Sequence, residues 1–429
     1  MNLKLTNIGK ISHADMELNS ITVIAGENNT GKSTVGKMLF CVFHAFYGIE
    51  EQVVAEQKKS VAKALRVYLR EANIGRLLHP DVIFNLAEEI VKCKDQVLAD
   101  RSSIERQIDE FLLVRYPHLD QRFNRESLEP LSSRIYNYLK IEDSELRKAI
   151  LRKRLEAEFA MKIGHLNHMD EKSCVEVRMK DKSIEFAVTN NEDIDIANYM
   201  SLNKEIIYMD DPFIIDDIND SIWGAFHDAY THRHDMLAKL MGGKKESEFT
   251  MADELVVKDK LAKILDIMSD VCSGSVTRNE SGSFVYQTDR LQGNLDMVNL
   301  STGMKSFVIL RRLLENGSID ENGIVILDEP EIHLHPEWQL RFAEMIVLIQ
   351  KEFGLNILLN THSPYFLNAI EVYSKKYGID KECRYYLADE TDGSTILTNV
   401  TDNTEEIYAK LARPLQELEN LEYSNEGTI

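Results

Sequence analysis

The stretch that most constrains this fold is Gly26–Ser33, GENNTGKS, which matches the pattern GxxxxGK[ST]. An apolar, β-branched run, Ile21–Ala25, precedes it, and an apolar-periodic helix is expected from about Lys32. Glycines let such a loop turn tightly, so that successive backbone N–H groups face one anion at the positive end of the helix. A glycine-rich turn without a nucleotide is the alternative, which the strand–loop–helix order disfavours. The sequence therefore predicts a nucleotide phosphate site.

The loop residues have distinct expected roles. Lys32 is expected to reach the β- and γ-phosphates, the Ser33 hydroxyl to ligate Mg²⁺, and Thr34 to contact the α-phosphate. The other nucleotide-binding candidates supply backbone N–H groups or a tight turn, and they are Gly26, Asn28, Asn29, Thr30 and Gly31.

Two further motifs directly follow apolar strands. After Ile324–Leu327 come Asp328, expected in the Mg²⁺ shell, and Glu329, expected to orient and polarise the attacking water. His362, in NTHSP, follows another apolar strand and is expected to hydrogen-bond the γ-phosphate. Acids that only solvate a strand end, and a structural histidine, are the alternatives. Alternating strands and helices in this region predict an α/β sheet with parallel strands.

The order of these motifs resembles that of ABC-type ATPase heads. A phosphate loop, a long insertion, LSTGMK, a gap of about 25 residues, ILDEPEIHLHP and NTHSP follow one another. The closest resemblance is to overcoming-lysogenization-defect (OLD) style ATPases, with RecF and SMC heads related more distantly. It covers residues 1–47 and roughly 170–370. The resemblance implies an ABC-type P-loop NTPase head, a mixed sheet with flanking helices carrying a helical insertion, with ATP and Mg²⁺ as ligands.

The resemblance also gives a meaning to Leu300–Lys305, called here the signature stretch. In ABC-type heads the equivalent stretch caps a helix that points at ATP bound by a different head. Ser301 offers a hydroxyl and Gly303 an unobstructed N–H, and the helix dipole favours a phosphate. One phosphate loop and one signature per chain imply at least a homodimer. Thr302 stands where a second glycine is usual, and Lys305 would either add positive charge or face solvent; an ordinary serine-capped helix is the alternative.

The expected domains are residues 1–50 and 171–400 for the head, 51–170 for the helical insertion, and 401–429 for an acidic, loosely held tail. Breaks in the insertion are expected at ANIGR, RYPHLD and LEPLSS, and a hairpin at 173–194 with KDKS as its turn. Further expected elements are strands at KEIIYM and SGSFVYQT, a helix over 251–271, and helices from about 337 to 352 and from Tyr365.

Charge limits the classes of partner. The net charge of −21 opposes non-specific binding to polyanions over the whole surface. Residues 51–172, however, hold 22 basic and 21 acidic side chains, so nucleic acid is most easily accommodated there, with Arg152, Lys153 and Arg154 as candidates. Salt-bridged, solvated helix faces are the alternative interpretation.

Cysteine usage and hydropathy indicate the cellular compartment of the chain. The five cysteines show no metal-ligand spacing and fit a reducing cytosol. No apolar run reaches the roughly 18 residues of a membrane span, and the N-terminus does not resemble a signal peptide. A cytoplasmic location without membrane attachment is therefore expected.

Three clusters could be mistaken for metal sites. They are the pair His333 and His335, the group His227, His232, His234 and Asp235, and the acids Asp210, Asp211, Asp216, Asp217 and Asp220. By resemblance, the first lies in the loop where paired heads communicate. The second is more simply a polar surface helix or loop, and the third has the acids of a two-metal nuclease site but no nucleolytic pattern around them. The last group lies in a YxDDPF stretch that is similar to one in OLD-style ATPases, with no role derived. A core-facing helix stripe is predicted from Trp338, Leu340, Phe342, Met345, Ile346 and Ile349.

The resemblance favours an ATPase subunit of a bacterial antiphage defence system. About 65 residues follow NTHSP, without Toprim-like acidic motifs, so the chain is similar to stand-alone subunits of the Septu (PtuA) and PARIS (AriA) type, whose effector is a separate nuclease or other protein. A RecF- or SMC-like DNA repair ATPase is the alternative, and a transporter ATPase fits least. No glutamine stands at a convincing Q-loop position, and the adenine-contacting residues are left unassigned.

Overall fold

The computed structural model describes residues 1–71, 79–115, 128–165, 171–219, 231–242, 251–289, 293–413 and 418. The chain forms two compact units. Met1–Tyr47 and Arg152–Ile429 make up one, the head unit, and Gly48–Leu151 make up the other, the helical unit.

The strands belong to an eleven-stranded sheet and a three-stranded sheet. They are β1 (Asn2–Ile8), β2 (Ile11–Glu17), β3 (Ile21–Gly26), β4 (Ser173–Met179), β5 (Lys182–Thr189), β6 (Asp193–Asn198), β7 (Ile206–Met209), β8 (Ser275–Arg278), β9 (Phe284–Gln287), β10 (Leu295–Asp296), β11 (Ile324–Asp328), β12 (Asn356–Thr361), β13 (Arg384–Thr391) and β14 (Ser394–Asn399). The large sheet has the order β6-β5-β4-β1-β2-β14-β13-β3-β12-β11-β7, and the small one β10-β9-β8.

The large sheet is mixed. Its functional half, β13-β3-β12-β11-β7, is entirely parallel, whereas β1 with β2 and β4, β4 with β5, and β5 with β6 pair antiparallel. β3 and β11 are buried along their whole length, as expected of strands covered on both faces. Parallel pairing brings the carboxyl ends of β3, β11 and β12 to one edge of the sheet.

The helices flank the sheet in the head unit and form the helical unit almost alone. They are α1 (Lys32–Phe46), α2 (Ile49–Glu71), α3 (Pro80–Lys92), α4 (Lys94–Ala99), α5 (Ser102–Arg115), α6 (Leu128–Leu139), α7 (Asp143–Phe159), α8 (His232–Met241), α9 (Met251–Ser269), α10 (Thr302–Glu315), α11 (Pro336–Phe353) and α12 (Pro364–Tyr377). Short 3-10 helices cover Pro212–Asn219, Met297–Asn299 and Asp380–Glu382.

The helical unit has an apolar core of its own, built from α2 to α6 and separate from the core of the head. Its surface is rich in ion pairs. Lys58 and Lys92 both pair with Glu88, and Lys94 pairs with Asp143. These pairs favour the solvated, salt-bridged interpretation of this segment over a bare basic surface.

The predicted α/β class, with a mixed sheet, flanking helices and a helical insertion, is confirmed. The compact units divide after Tyr47 and Leu151, earlier than the expected limits at 50 and 170. The end of α7 belongs with the head because Arg154 is buried there, its carbonyl accepting a hydrogen bond from Cys41 Sγ at 3.5 Å. Arg152 donates to the carbonyl of Glu192, so Lys153 is the exposed member of the basic triplet.

Several local predictions were wrong. LEPLSS does not break a helix but begins α6, where Pro130 in the first turn removes no helical hydrogen bond. The hairpin turn is Lys180–Asp181 alone, since β5 already begins at Lys182. ANIGR lies outside the described residues, as does most of RYPHLD.

The acidic tail is held where the structure describes it. Residues 405–413 are helical, and Ile407 is fully buried. Lys410 pairs with Asp389 of β13. In the described ranges no helix combines the length and the apolar character needed to span a membrane.

Candidate nucleotide-binding site

The phosphate loop joins the end of β3 to α1 through backbone that few residues tolerate. Gly31 has φ 84° and Asn29 φ 65°, both in the left-handed region. At Gly26 a Cβ would lie only 2.6 Å from the carbonyl oxygen of Ala388 on β13, so the first glycine is required by that close approach. The sequence pattern at these positions thus has a direct steric cause.

Lys32 lies under the loop and is almost fully buried. Its Nζ donates to the carbonyl oxygens of Gly26, at 3.1 Å, and Glu27, at 2.8 Å. The ammonium is also 3.6 Å from Glu329 Oε1. Burial lowers the pKa of Lys32, and the nearby carboxylates of Glu329 and Asp328 oppose that effect. The site therefore holds one buried cation facing two acids.

Asp328 ends β11 and is fixed from two sides. The Tyr208 hydroxyl donates to its Oδ2 at 2.9 Å, and Asn360 Nδ2 donates to its Oδ1 at 2.9 Å. Because the side chain is only 8% exposed, these two bonds define its orientation. Burial and the Asp328 carboxylate raise the pKa of Tyr208 well above its usual range, so the phenol is the donor.

Glu329 adopts a left-handed conformation with φ 50°, which costs a non-glycine residue on the order of 1–3 kcal/mol. Its N–H donates to the carbonyl of Asn360 at 2.9 Å, which holds the turn in place. The strained turn leaves the carboxylate 25% exposed, with Oε1 3.5 Å from His362 Nδ1. Strain of this kind is typical of functional positions.

These residues fit an Mg²⁺-nucleotide. α1 is 15 residues long, and no side chain caps its N-terminus, so its first N–H groups are available to a phosphate. Ser33 is exposed beside the loop and Asp328 is oriented nearby, which supplies the oxygen donors that Mg²⁺ prefers. When bound, Mg²⁺ would neutralise charge on the phosphate oxygens.

The remaining loop candidates vary in exposure. Asn28 and Asn29 are exposed, whereas Thr30 is buried and donates to the carbonyl of Glu27 at 2.9 Å. Thr34 lies close to Gly9, where a Cβ would be 3.4 Å from Thr34 Cγ2. The structure thus brings the loop, Lys32, Asp328, Glu329 and His362 together at one sheet edge.

Ser301 and Gly303 belong to a different part of the head. Ser301 is the exposed N-cap residue of α10, and its hydroxyl makes no capping hydrogen bond. Gly303 is buried, and a Cβ there would lie 3.0 Å from the Trp338 ring and 3.2 Å from the carbonyl oxygen of His333. No hydrogen bond or ion pair of the described residues joins Ser301 or Gly303 to the phosphate loop.

Lys305 neither faces solvent nor adds free positive charge. It is 2% exposed, and its Nζ lies 2.5 and 2.6 Å from the two carboxylate oxygens of Asp216. Both expectations for Lys305 were therefore wrong, because its partner lies 89 residues earlier in the chain.

The YxDDPF stretch makes contacts with the candidate site and its surroundings that sequence reasoning missed. Tyr208 binds Asp328, and Asp211 pairs with Arg233 at 2.8 Å. Asp210 accepts a hydrogen bond from His232 at 2.8 Å. The available signal was Tyr208, an aromatic residue near the end of the apolar strand β7. Its partner Asp328 could not be known without the sheet order, which places β7 beside β11.

His232 is a buried histidine between two acids. Its Nδ1 lies 2.8 Å from Glu158 Oε2 and its Nε2 2.8 Å from Asp210 Oδ2, and the ring stacks on Tyr208 at 4.4 Å. Burial alone lowers the pKa of His232, but the hydrogen bonds and charges of the two acids outweigh it and raise the pKa to about 9. A charged imidazolium thus supports the ring that holds Asp328.

The alternative metal sites gain no support. Across the described residues, no three His, Cys, Asp or Glu side chains are arranged to hold a metal ion. His335 instead caps α11 by accepting from the N–H of Glu337, while His227 and Asp220 lie outside the described residues. In the predicted core stripe, Leu340 is 45% exposed, so that assignment was wrong for this residue.

Comparison with known proteins places the chain in a family. The model of a family described as "AAA domain, putative AbiEii toxin, Type IV TA system" matches residues 21–368. The chain belongs to this AAA family. The match begins at β3 and continues through His362 into α12, so it contains the loop, the signature stretch and both acids.

Three curated relatives of this AAA-family chain come from bacteria. Septu protein PtuA of Bacillus thuringiensis is 26% identical over 44% of this chain and 48% of its own length. The probable ATPases of retron Vc95 from Vibrio cholerae and retron Ec83 from Escherichia coli are 26% and 30% identical. These two matches cover 34% and 32% of this chain, but only 29% and 27% of the relatives. The resemblance inferred from the motifs is confirmed at the level of the family.

Among solved structures, the SMC head domain from Thermotoga maritima is similar, with a TM-score of 0.37 and 10% identity over 93% of this chain and 98% of that one. An SMC head bound to the C-terminal winged-helix domain of ScpA gives a TM-score of 0.39 and 11% identity, over 94% and 98%.

Proposed function

We propose that the chain is an ATP-binding and ATP-hydrolysing subunit of a bacterial antiphage defence system, acting in the cytoplasm. The observation that carries this proposal is the convergence of Lys32, Asp328, Glu329 and His362 at one edge of the parallel sheet. These are the parts that phosphoryl transfer to water needs: a buried cation, an oriented metal ligand, a base and a phosphate-facing histidine.

The chain's own residues have separable roles. Lys32 and the first N–H groups of α1 bind the phosphates, and Ser33 with Asp328 provides oxygen ligands for Mg²⁺. Glu329 accepts a hydrogen bond from the attacking water and orients it. His362, 3.5 Å from the Glu329 carboxylate, is placed to donate to the γ-phosphate and so to distinguish ATP from ADP.

A complete site requires a second copy of the chain. Ser301 is exposed, its hydroxyl makes no capping hydrogen bond, and no hydrogen bond or ion pair of the described residues joins it to the phosphate loop of its own chain. We therefore assign Ser301 and Gly303 to ATP bound by the other chain of a homodimer, which makes assembly depend on ATP.

The relatives supply the biological setting. One relative is named as a Septu protein, and two are named as probable ATPases of retrons. By analogy, ATP-dependent dimerisation here would regulate a separate nuclease or other effector protein. The helical unit is a further candidate surface, for nucleic acid or for that effector.

A mixing experiment tests the shared site. Lys32→Ala destroys the phosphate loop and leaves the signature intact, whereas Ser301→Arg does the reverse. Each variant alone should be inactive, but a mixed dimer contains one site with both parts intact. Random mixing at equal concentration gives one intact site in half of the dimers, so up to about a quarter of wild-type ATPase activity should return. Activity of Ser301→Arg alone, or no recovery on mixing, would contradict the shared site.

A further inference from the structure

The segment Tyr208–Asp216 contacts the nucleotide site at one end and the signature helix at the other. It begins in β7, the strand next to β11, and ends inside the 3-10 helix Pro212–Asn219. Every residue of the segment is described, and none is assigned a role by the motifs of the ATP site.

At its first end, the segment fixes Asp328. Tyr208 is 1% exposed, and its hydroxyl donates to Asp328 Oδ2 at 2.9 Å. Helix α1 closes over the ring at Gly36, where a Cβ would lie 3.3 Å from the Tyr208 hydroxyl and 3.1 Å from Ile326. Stacking of His232 at 4.4 Å covers another side of the ring. Tyr208 therefore has little freedom to release the carboxylate.

The middle of the segment is stiff. The Phe213 N–H donates to Asp211 Oδ1 at 2.8 Å, while Asp211 Oδ2 accepts from Arg233 at 2.8 Å. Ile214 and Ile215 are buried in the head core. A displacement of one end is thus passed along the chain rather than absorbed by a loose loop.

At its second end, the segment holds the first turn of α10. Asp216 pairs with buried Lys305 at 2.5 and 2.6 Å. The Lys305 ammonium also lies 4.8 Å from the centre of the Phe213 ring. The centres of the Phe213 and His333 rings are 5.7 Å apart. His333 in turn provides the carbonyl against which Gly303 packs.

We propose that Tyr208–Asp216 is an internal link that sets the position of the signature helix relative to Asp328 of the same chain. Its importance rests on the proposed function, because in a shared site Asp328 and Ser301 of one chain serve two different nucleotides. The link then makes the two sites of a dimer interdependent. Tyr208 and the Asp216–Lys305 pair are positioning residues in this scheme and do not touch substrate.

A double-mutant cycle tests the link through turnover. Tyr208→Phe and Asp216→Asn should each lower kcat by about tenfold or more, as expected when a group that orients a metal ligand or its support is lost. Affinity for a fluorescent ATP analogue measured without Mg²⁺ should stay within about twofold, since Lys32 and the loop are unchanged. The double variant should lose no more than the worse single variant, because either change breaks the same link. Asp217→Asn, the same change at the next residue, is the matched control and should keep wild-type kcat.

Amide hydrogen exchange in ATP-free protein tests the link without turnover. Both Tyr208→Phe and Asp216→Asn should reduce the protection of the α10 amides from Lys305 onward, where the Lys305 N–H donates to the carbonyl of Ser301, by roughly fivefold, whereas Asp217→Asn should not. Multiplicative losses in kcat, or unchanged protection in Tyr208→Phe, would overturn the link. A wild-type chain without ATPase activity would instead refute the proposed function.

If Asp216→Asn fails to fold because Lys305 is left unpaired, Asp216→Leu with Lys305→Met replaces it. This pair leaves no buried charge and should fold. It should show the same loss of kcat and of protection, and wild-type values of both would overturn the link.

Discussion

The buried His232 gives the clearest quantitative prediction, because the charge of its imidazole changes with pH. The pKa of His232 is raised from its ordinary value of 6.5 to about 9, since Glu158 and Asp210 outweigh the effect of burial. One pKa unit corresponds to about 1.4 kcal/mol, so the protonated ring stabilises the fold by ~3 kcal/mol.

The sign follows from the raised pKa in the folded state. The stabilisation is complete below pH 6.5, where the imidazole is charged in both states. It is lost as the pH rises towards 9, because the folded protein must then release the proton that binds the two acids. His232→Gln cannot carry this charge and should lack the effect.

Urea unfolding of wild type and His232→Gln at pH 6.5 and pH 9 measures the difference. Tryptophan fluorescence is suitable because Trp338 packs against the core of the head unit, the unit that contains His232. The free-energy gap between the two proteins should shrink by ~3 kcal/mol over this range. His13→Gln, the same change at an exposed position of β2, is the matched control for the substitution itself. A gap that does not depend on pH would refute the assignment of a charged His232.

Three further predictions concern single side chains. Lys32→Ala should reduce ATP turnover by ~10²–10³-fold, measured by phosphate release, because the proposed role of its ammonium is to bind the transferred phosphate. Gly303→Ala should destabilise the fold by ~1–3 kcal/mol in calorimetry, since a Cβ would lie 3.0 Å from the Trp338 ring; Gly293→Ala, with nothing within 4 Å, should not. If nucleic acid binds through residues 51–172, Lys153→Glu should weaken that binding, and the affinity measured by fluorescence anisotropy should fall between 50 and 200 mM salt. Binding unaffected by salt would exclude a phosphate interface.

The convergence of the candidate site residues was predictable because they lie at the ends of strands. The loop, Asp328, Glu329 and His362 each follow an apolar run, and parallel strands place such ends together. Each of the two loop glycines has a local cause. A Cβ at Gly26 would clash with the carbonyl of Ala388, and Gly31 has a positive φ.

The contacts that support the site were not predictable, because their partners are distant in sequence. Tyr208 and Asp328 are in contact although 120 residues separate them in sequence, and 89 residues separate Lys305 from Asp216. Lys305 in the signature stretch suggests added positive charge, but its pairing with Asp216 neutralises that charge. Leu340 fits a helical apolar stripe, yet it is exposed in the first turns of α11. Periodicity alone cannot tell where along a helix contact with the core begins.

The most direct test of the shared ATP site is the mass of Glu329→Gln with ATP and Mg²⁺. This variant keeps the phosphate loop, Asp328 and the signature but cannot activate water, so ATP should remain bound between two chains. Light scattering coupled to gel filtration should give at least twice the 49.3 kDa mass of one chain with ATP, and a smaller species when Ser301→Arg is added. A mass of one chain in saturating ATP would contradict the shared site.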